Sequence, residues 1–165
     1  MILLIVGVLL LLGWMAWEDA RYRAISLWTF PALFGLLLLS NIHLSSWTQT
    51  LWKVNTNLLI VAVQLAGLWL YLMIKHKVVV HPMRGFLGWG DVLFWIAIVP
   101  AFSPWSFLLF YIGSALAALL LHTCLRQQQW YGDAHRVPLA GWQALVYSAW
   151  LLSYGFMDPA WLPPL

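Results

Sequence analysis

The chain has 165 residues, of which 64% are hydrophobic and 8% are charged, and its formal net charge is +3. A soluble domain of this length cannot bury so much apolar surface, so the composition excludes a soluble protein and indicates an integral membrane protein. Its one cysteine, Cys124, excludes a disulfide framework and CxxC zinc or redox motifs, and the small basic clusters exclude a nucleic-acid-binding face.

Six apolar stretches have the length and hydropathy expected of membrane-spanning helices. In chain order they cover roughly residues 1–17, 26–42, 55–74, 87–103, 105–125 and 138–156. The first stretch lacks the basic start and the small-residue cleavage site of a signal peptide, so we expect it to be retained as a helix. We therefore predict an all-α, polytopic protein with about six transmembrane helices in one domain over residues 1–165.

Two of these stretches carry features that disturb a regular helix. The second and fourth are short or contain a proline, Pro31 or Pro100, so we expect them to be kinked or to cross the bilayer incompletely. In the fifth, small residues spaced by four favour close helix packing, although a lipid-facing helix can have the same composition. These small residues are Gly113, Ser114, Ala117 and Ala118.

The basic residues predict how the helices are oriented in the membrane. Lys53 lies in a loop after an even-numbered stretch, whereas the other seven basic residues follow odd-numbered stretches. Those seven are Arg21, Arg23, Lys75, Lys77, Arg84, Arg126 and Arg136. Because cytoplasmic loops carry the excess of Lys and Arg, we predict a multi-pass protein of the inner (plasma) membrane with both termini outside.

Acidic residues at the cytoplasmic ends of the predicted helices are candidates for catalysis. Asp91 stands where an apolar stretch begins, and Glu18 and Asp19 stand where the first one ends. If bundle packing brings two carboxyl groups together, both cannot ionise easily, so one keeps a proton. Such a pair supplies the general base and the general acid that peptide-bond hydrolysis needs. Glu18 and Asp19 point about 100° apart on a helix, and periodicity does not choose between them.

Two glycines precede Asp91 in the stretch GWGD, and they have two interpretations. Gly88 and Gly90 could let an extended peptide lie beside the Asp91 carboxylate without a Cβ clash. Alternatively, they mark a helix start, and Asp91 is a capping residue.

Three segments together resemble the type IV prepilin peptidase family, membrane aspartyl proteases of the GxGD class. GWGDVLF (88–94) resembles the GxGD motif, EDARYRAIS (18–26) resembles the motif of the other aspartate, and VPLAGWQAL (from Val137) is similar to a proline-containing motif at the last helix. The resemblance implies that Asp19, rather than Glu18, and Asp91 are catalytic. It also implies that Gly88, Gly90 and Pro138 shape the active-site loop.

The family resemblance also implies a substrate and a reaction. Members cleave the basic leader from prepilins and related proteins at the cytoplasmic membrane face. The chain lacks the zinc-binding CxxC insertion of bifunctional members, so we expect a peptidase without methyltransferase activity and without a cofactor or metal. The expected partners are prepilin-like membrane proteins and the lipid bilayer.

The chain departs from the family pattern at three positions. Ser26 stands where Pro is usual, Leu93 stands where Lys is common, and Gly141 interrupts the third motif. A weak or inactive homologue that acts as a membrane scaffold is therefore an alternative. A small proton-relay or transport subunit is another, because intramembrane acids also mark ion pathways. Asp133 and His135 either border the active site or belong to a solvated loop.

Overall fold

The structure, a computed structural model, describes residues 2–76, 88–125 and 139–157. Within these ranges the chain forms helices and no strand, which confirms the all-α prediction for this part of the chain. The helices are α1 (Ile2–Tyr22), α2 (Thr29–Leu44), α3 (Trp47–His76), α4 (Trp89–Ile98), α5 (Pro104–Leu125) and α6 (Leu139–Met157), and a 3-10 turn (Val99–Ala101) follows α4.

Two helices extend further than their apolar stretches predict. α1 continues to Tyr22 instead of ending near residue 17, so its acidic residues lie on helix. α3 begins at Trp47 rather than near residue 55, because Ser46 caps it: the Ser46 Oγ accepts a hydrogen bond from the Gln49 backbone N–H at 3.4 Å. Ser-x-x-Gln is a recognised capping sequence. Hydropathy alone misses this helix start, because the first turns of α3 are polar.

Among the residues that the structure describes, two helices are long and apolar enough to cross a membrane, namely Leu3–Tyr22 and Trp47–Lys75. Only 17% of the most apolar part of α3 is buried, so this helix exposes a large apolar surface. The described part of the chain also contains three shorter apolar helices, Thr29–His43, Trp89–Ala101 and Pro104–Leu120. The membrane character is thus supported, while six crossings and the placement of the termini stay predictions.

The prolines of the second and fourth stretches have different effects. Pro31 lies in the first turn of α2, where a missing N–H removes no intrahelical bond, and α2 is continuous. Pro100, in contrast, lies in the 3-10 turn where α4 ends. The ten residues of α4 rise about 15 Å, roughly half of the hydrocarbon thickness. The regular helix of the fourth stretch therefore stops before Pro100, and an incomplete crossing of the bilayer stays a prediction.

Buried Asn57 of α3 stabilises the end of α4. Its Nδ2 donates to the carbonyl oxygens of Val99 at 3.0 Å and Phe102 at 2.8 Å. These carbonyls lie where the helical hydrogen-bond pattern stops, and a buried carbonyl without a donor is costly. Asn57 therefore stabilises the break that lets α4 be short.

The packing of the helices brings three helix ends together. α1 packs most extensively against α6, and α2 packs against α4. The shared core contains fully buried Leu12 and Met15 from α1, Phe94 from α4 and Tyr147 from α6. In α5, Ser114 and Ala118 are buried, whereas Gly113 is exposed, so only one side of the small-residue stretch packs. The end of α1 thus meets the beginnings of α4 and α6.

We predict that Asn57→Leu lowers the free energy of unfolding by about 1–3 kcal/mol, because two buried carbonyls lose their donor. Thermal unfolding in detergent measures the change. Asn55→Leu is the matched control, since Asn55 is exposed on the same helix. Equal stability of the two variants would contradict the role given to Asn57.

Candidate active site

Glu18 and Asp19, adjacent in the last turns of α1, face different surroundings. The Glu18 carboxylate accepts two hydrogen bonds from Ser26, at 2.8 Å from the backbone N–H and at 2.7 Å from the hydroxyl. Glu18 therefore closes the turn between α1 and α2. Asp19 is buried and points toward α6. The two carboxylates therefore have different partners, a distinction that helical periodicity leaves open.

The bond from Ser26 also accounts for one departure from the family pattern. A proline at position 26 would have no N–H to donate to Glu18. Ser26 supplies that N–H together with a hydroxyl, so both Glu18 oxygens are satisfied. The Ser26 departure therefore belongs to the structure of the turn and removes no group from the vicinity of Asp19.

Asp19 binds the first turn of α6. Its Oδ2 accepts a hydrogen bond of 2.7 Å from the backbone N–H of Gly141. A Cβ atom on Gly141 would lie 2.7 Å from that oxygen and 2.9 Å from the Asp19 Cβ, closer than real Cβ contacts. Only glycine therefore lets the two helices approach this closely. Gly141 looks like an interruption in the sequence, although a glycine opening an apolar helix is a signal of close backbone approach.

Asp91 binds the neighbouring amide of the same turn. Its Oδ1 accepts a hydrogen bond of 2.9 Å from the Ala140 N–H. Its other oxygen, Oδ2, accepts from the Gly88 N–H at 3.2 Å and so caps α4. The two interpretations of GWGD are therefore compatible, because one carboxylate oxygen caps its own helix and the other reaches α6.

The two glycines of GWGD differ in their surroundings. A Cβ atom on Gly88 would lie 3.0 Å from the Asp91 Oδ2, whereas a Cβ on Gly90 would have nothing within 4 Å. Gly88 has φ −78° and ψ 143°, a backbone conformation open to any residue, so its requirement is one of space. The open space beside Gly90 leaves room for another group, and an approaching peptide there stays a prediction.

The first turn of α6 thus joins the two aspartates. Ala140 and Gly141 are consecutive, and the N–H groups of a first helical turn have no partner within the helix. They also form the positive end of the helix dipole, which stabilises carboxylates. The carboxyl groups of Asp19 and Asp91 are close enough for their charges to interact. The Asp19 carboxyl group also interacts with the charge of Arg23. Asp19 and Asp91 bound to these amides are called the dyad below.

Arg23 follows α1 with an unusual backbone. Its φ of 53° lies in the left-handed region, which non-glycine residues seldom adopt. Its N–H donates to the Asp19 carbonyl at 3.1 Å, and the helix ends at Tyr22, three residues after Asp19. This turn of the backbone keeps the Arg23 guanidinium close enough to the Asp19 carboxylate for their charges to interact.

The other predicted site features have different outcomes. Leu93 follows Asp91 by two residues, about 200° around α4, and packs against the core, so a lysine there would not extend toward the dyad.

Pro138, Asp133 and His135 lie outside the described residues. Across residues 2–76, 88–125 and 139–157, no group of three or more His, Cys, Asp or Glu could hold a metal ion.

Comparisons with known proteins provide no relatives from which to argue. No protein-family model, no curated protein and no solved structure matches the chain. The geometry of the dyad is therefore the basis for any functional conclusion.

We predict that Gly141→Ala destabilises the protein by about 1–3 kcal/mol, because the added methyl group must push Asp19 and α1 away from α6. Gly113→Ala is the matched control, since a Cβ there meets nothing within 4 Å. Alanine in an open helical position should be neutral or stabilising by up to about 1 kcal/mol. Thermal unfolding of both variants in detergent checks this, and Gly141→Ala as stable as the control would refute the steric argument.

Proposed function

We propose that the protein is a membrane-embedded aspartic endopeptidase that removes the basic leader from prepilin-like membrane proteins. One observation carries this proposal: Asp19 and Asp91, from separate helices, accept hydrogen bonds from consecutive amides of α6. Paired carboxyl groups held at one place are what water activation by an aspartyl protease requires. The leader as substrate rests on the resemblance of the GWGD and EDARYRAIS segments to the prepilin peptidase family.

The proposed reaction divides two tasks between the carboxyl groups of the dyad. The ionised carboxylate takes a proton from water, whose oxygen attacks the scissile carbonyl carbon. The protonated carboxyl donates a hydrogen bond to that carbonyl oxygen as it gains negative charge. A proton then passes to the departing amide nitrogen, the C–N bond breaks, and the two products are a carboxylic acid and an amine. The α6 amides hold both carboxyl groups in position while the proton moves.

The helix order supports a cytoplasmic active site. If the six helices cross in alternation from a terminus outside, α1 ends in the cytoplasm and α4 and α6 begin there. The ends that meet at the dyad are those same three ends. The excess of Lys and Arg in the adjoining loops supports a cytoplasmic position for this face.

The alternatives have less support. A proton relay needs ionisable groups distributed along the span, whereas Asp19 and Asp91 meet at helix ends. An inactive scaffold was suggested by Leu93 and Ser26, and both positions have explanations that leave the dyad intact.

We predict that Asp19→Asn and Asp91→Asn each reduce leader cleavage by a factor of about 10²–10⁴, because either variant removes the acid or the base. Cleavage of a purified prepilin-like substrate is followed as a mobility shift on a gel. Glu18→Gln is the matched control: glutamine keeps an acceptor for Ser26, and this side chain faces the turn. Normal cleavage by either aspartate variant would refute the dyad, and no cleavage by the wild type would refute the proposed function.

We predict a bell-shaped dependence of kcat on pH, because the reaction requires one protonated and one ionised carboxyl group. Acid removes the base by protonating it, and alkali removes the acid by ionising it. Initial cleavage rates at saturating substrate across the acidic to neutral range measure the profile. A rate that only rises with pH would contradict the shared proton.

A further inference from the structure

Gln143 of α6 connects three helices immediately beneath the dyad. It is fully buried, and its Oε1 accepts a hydrogen bond of 2.9 Å from the indole N–H of Trp95 in α4. Its Nε2 donates to the Ser114 Oγ of α5 at 3.1 Å. An indole N–H only donates, so the orientation of the amide is determined. Both ends of this buried side chain are thus used to join helices.

These bonds repeat the contact that α4 makes at the dyad. Asp91 binds the amide of Ala140, and one turn further along both helices Trp95 binds Gln143. The separations are four residues on α4 and three on α6, each about one helical turn. The two contacts therefore determine together how α4 is placed along α6, and the lower one involves no catalytic group.

The ring of Trp95 is oriented by α5 as well. Its centroid lies 4.9 Å from that of Tyr111 at an interplanar angle of 71°, an edge-to-face contact. Ser114, which accepts from Gln143, donates in turn to the Tyr111 carbonyl at 3.3 Å. The hydrogen bonds thus run from Trp95 through Gln143 and Ser114 to the backbone of α5, so a rotation of Trp95 or Gln143 would break at least one of them.

We propose that Gln143 is a positioning residue: through Trp95 it sets the place of α4 along α6, and so the distance between the carboxyl groups of Asp19 and Asp91. This inference rests on the proposed function for its catalytic consequence, though not for its geometry. Without the Trp95–Gln143 bond, α4 and α6 lose the lower of these two contacts, and Asp91 is left with its amide contact at the dyad.

The first test is kinetic and uses Gln143→Met and Trp95→Phe. Each substitution removes one partner of the Trp95–Gln143 hydrogen bond and puts an apolar side chain of similar shape in its place. We expect kcat to fall by about 10²-fold with KM unchanged, because a misplacement of about 1 Å can cost that much. The double variant should be no slower than the slower single variant, since both break the same bond. The control is Asn41→Leu, which also removes a fully buried amide but lies on α2 away from the dyad.

The second test does not depend on activity. In a Cys124→Ser background, Asp19→Cys and Asp91→Cys are joined by a short thiol cross-linker, and the yield reports the distance between the two positions. Adding Gln143→Met should lower the yield, whereas adding Asn41→Leu should not. Reduced yield together with reduced kcat supports the positioning role. Unchanged yield, or kcat per folded enzyme equal to that of the Asn41→Leu control, overturns it.

The two proposals fail in different ways. A wild-type protein that cleaves no prepilin-like substrate refutes the proposed function, and the cross-linking yield then still decides whether Gln143 positions α4. A wild-type protein that cleaves, with Gln143→Met equally active per folded enzyme, refutes only the positioning role.

Discussion

The structure depends on two consecutive backbone amides at the start of α6. Ala140 donates to Asp91 and Gly141 donates to Asp19, so one helix N-terminus binds a carboxylate from each of two other helices. A buried carboxylate is costly unless hydrogen-bond donors surround it. First-turn amides need external acceptors in any case, so the contact satisfies both partners. It also brings together α1, α4 and α6, which share the apolar core with the other helices.

Close approach of the helices makes this contact possible. Gly141 has no side chain, and a methyl group there would overlap Asp19. The α1–α6 pair must therefore pack tightly, and the buried leucine and methionine of α1 provide the apolar surface for it. At the other end of α4, Asn57 satisfies the carbonyls that the early helix end releases. Because Asn57 stabilises its end, α4 can begin at the dyad, stop after ten residues and be followed closely by α5.

Much of this arrangement follows from the sequence. Apolar stretches predict the six helices, and the distribution of Lys and Arg predicts that Asp19 and Asp91 share a face of the membrane. Periodicity could not show that Glu18 and Asp19 have different partners, because the partner of Glu18 is Ser26, eight residues further along the chain. The sequence also does not predict which residue contacts Gly141, since its partner Asp19 lies 122 residues away in the chain. Contacts of this range depend on packing, whereas hydropathy reports only on each segment alone.

The most direct test of the central contact observes the two amides themselves. Backbone ¹H–¹⁵N resonances of Ala140 and Gly141 can be recorded in detergent micelles with selectively labelled protein, in the wild type and in the two aspartate-to-asparagine variants. Asp19→Asn should shift chiefly the Gly141 resonance and Asp91→Asn chiefly that of Ala140, because each amide donates to a different carboxylate. If neither resonance responds to its own aspartate, α6 does not hold the dyad and the account is wrong.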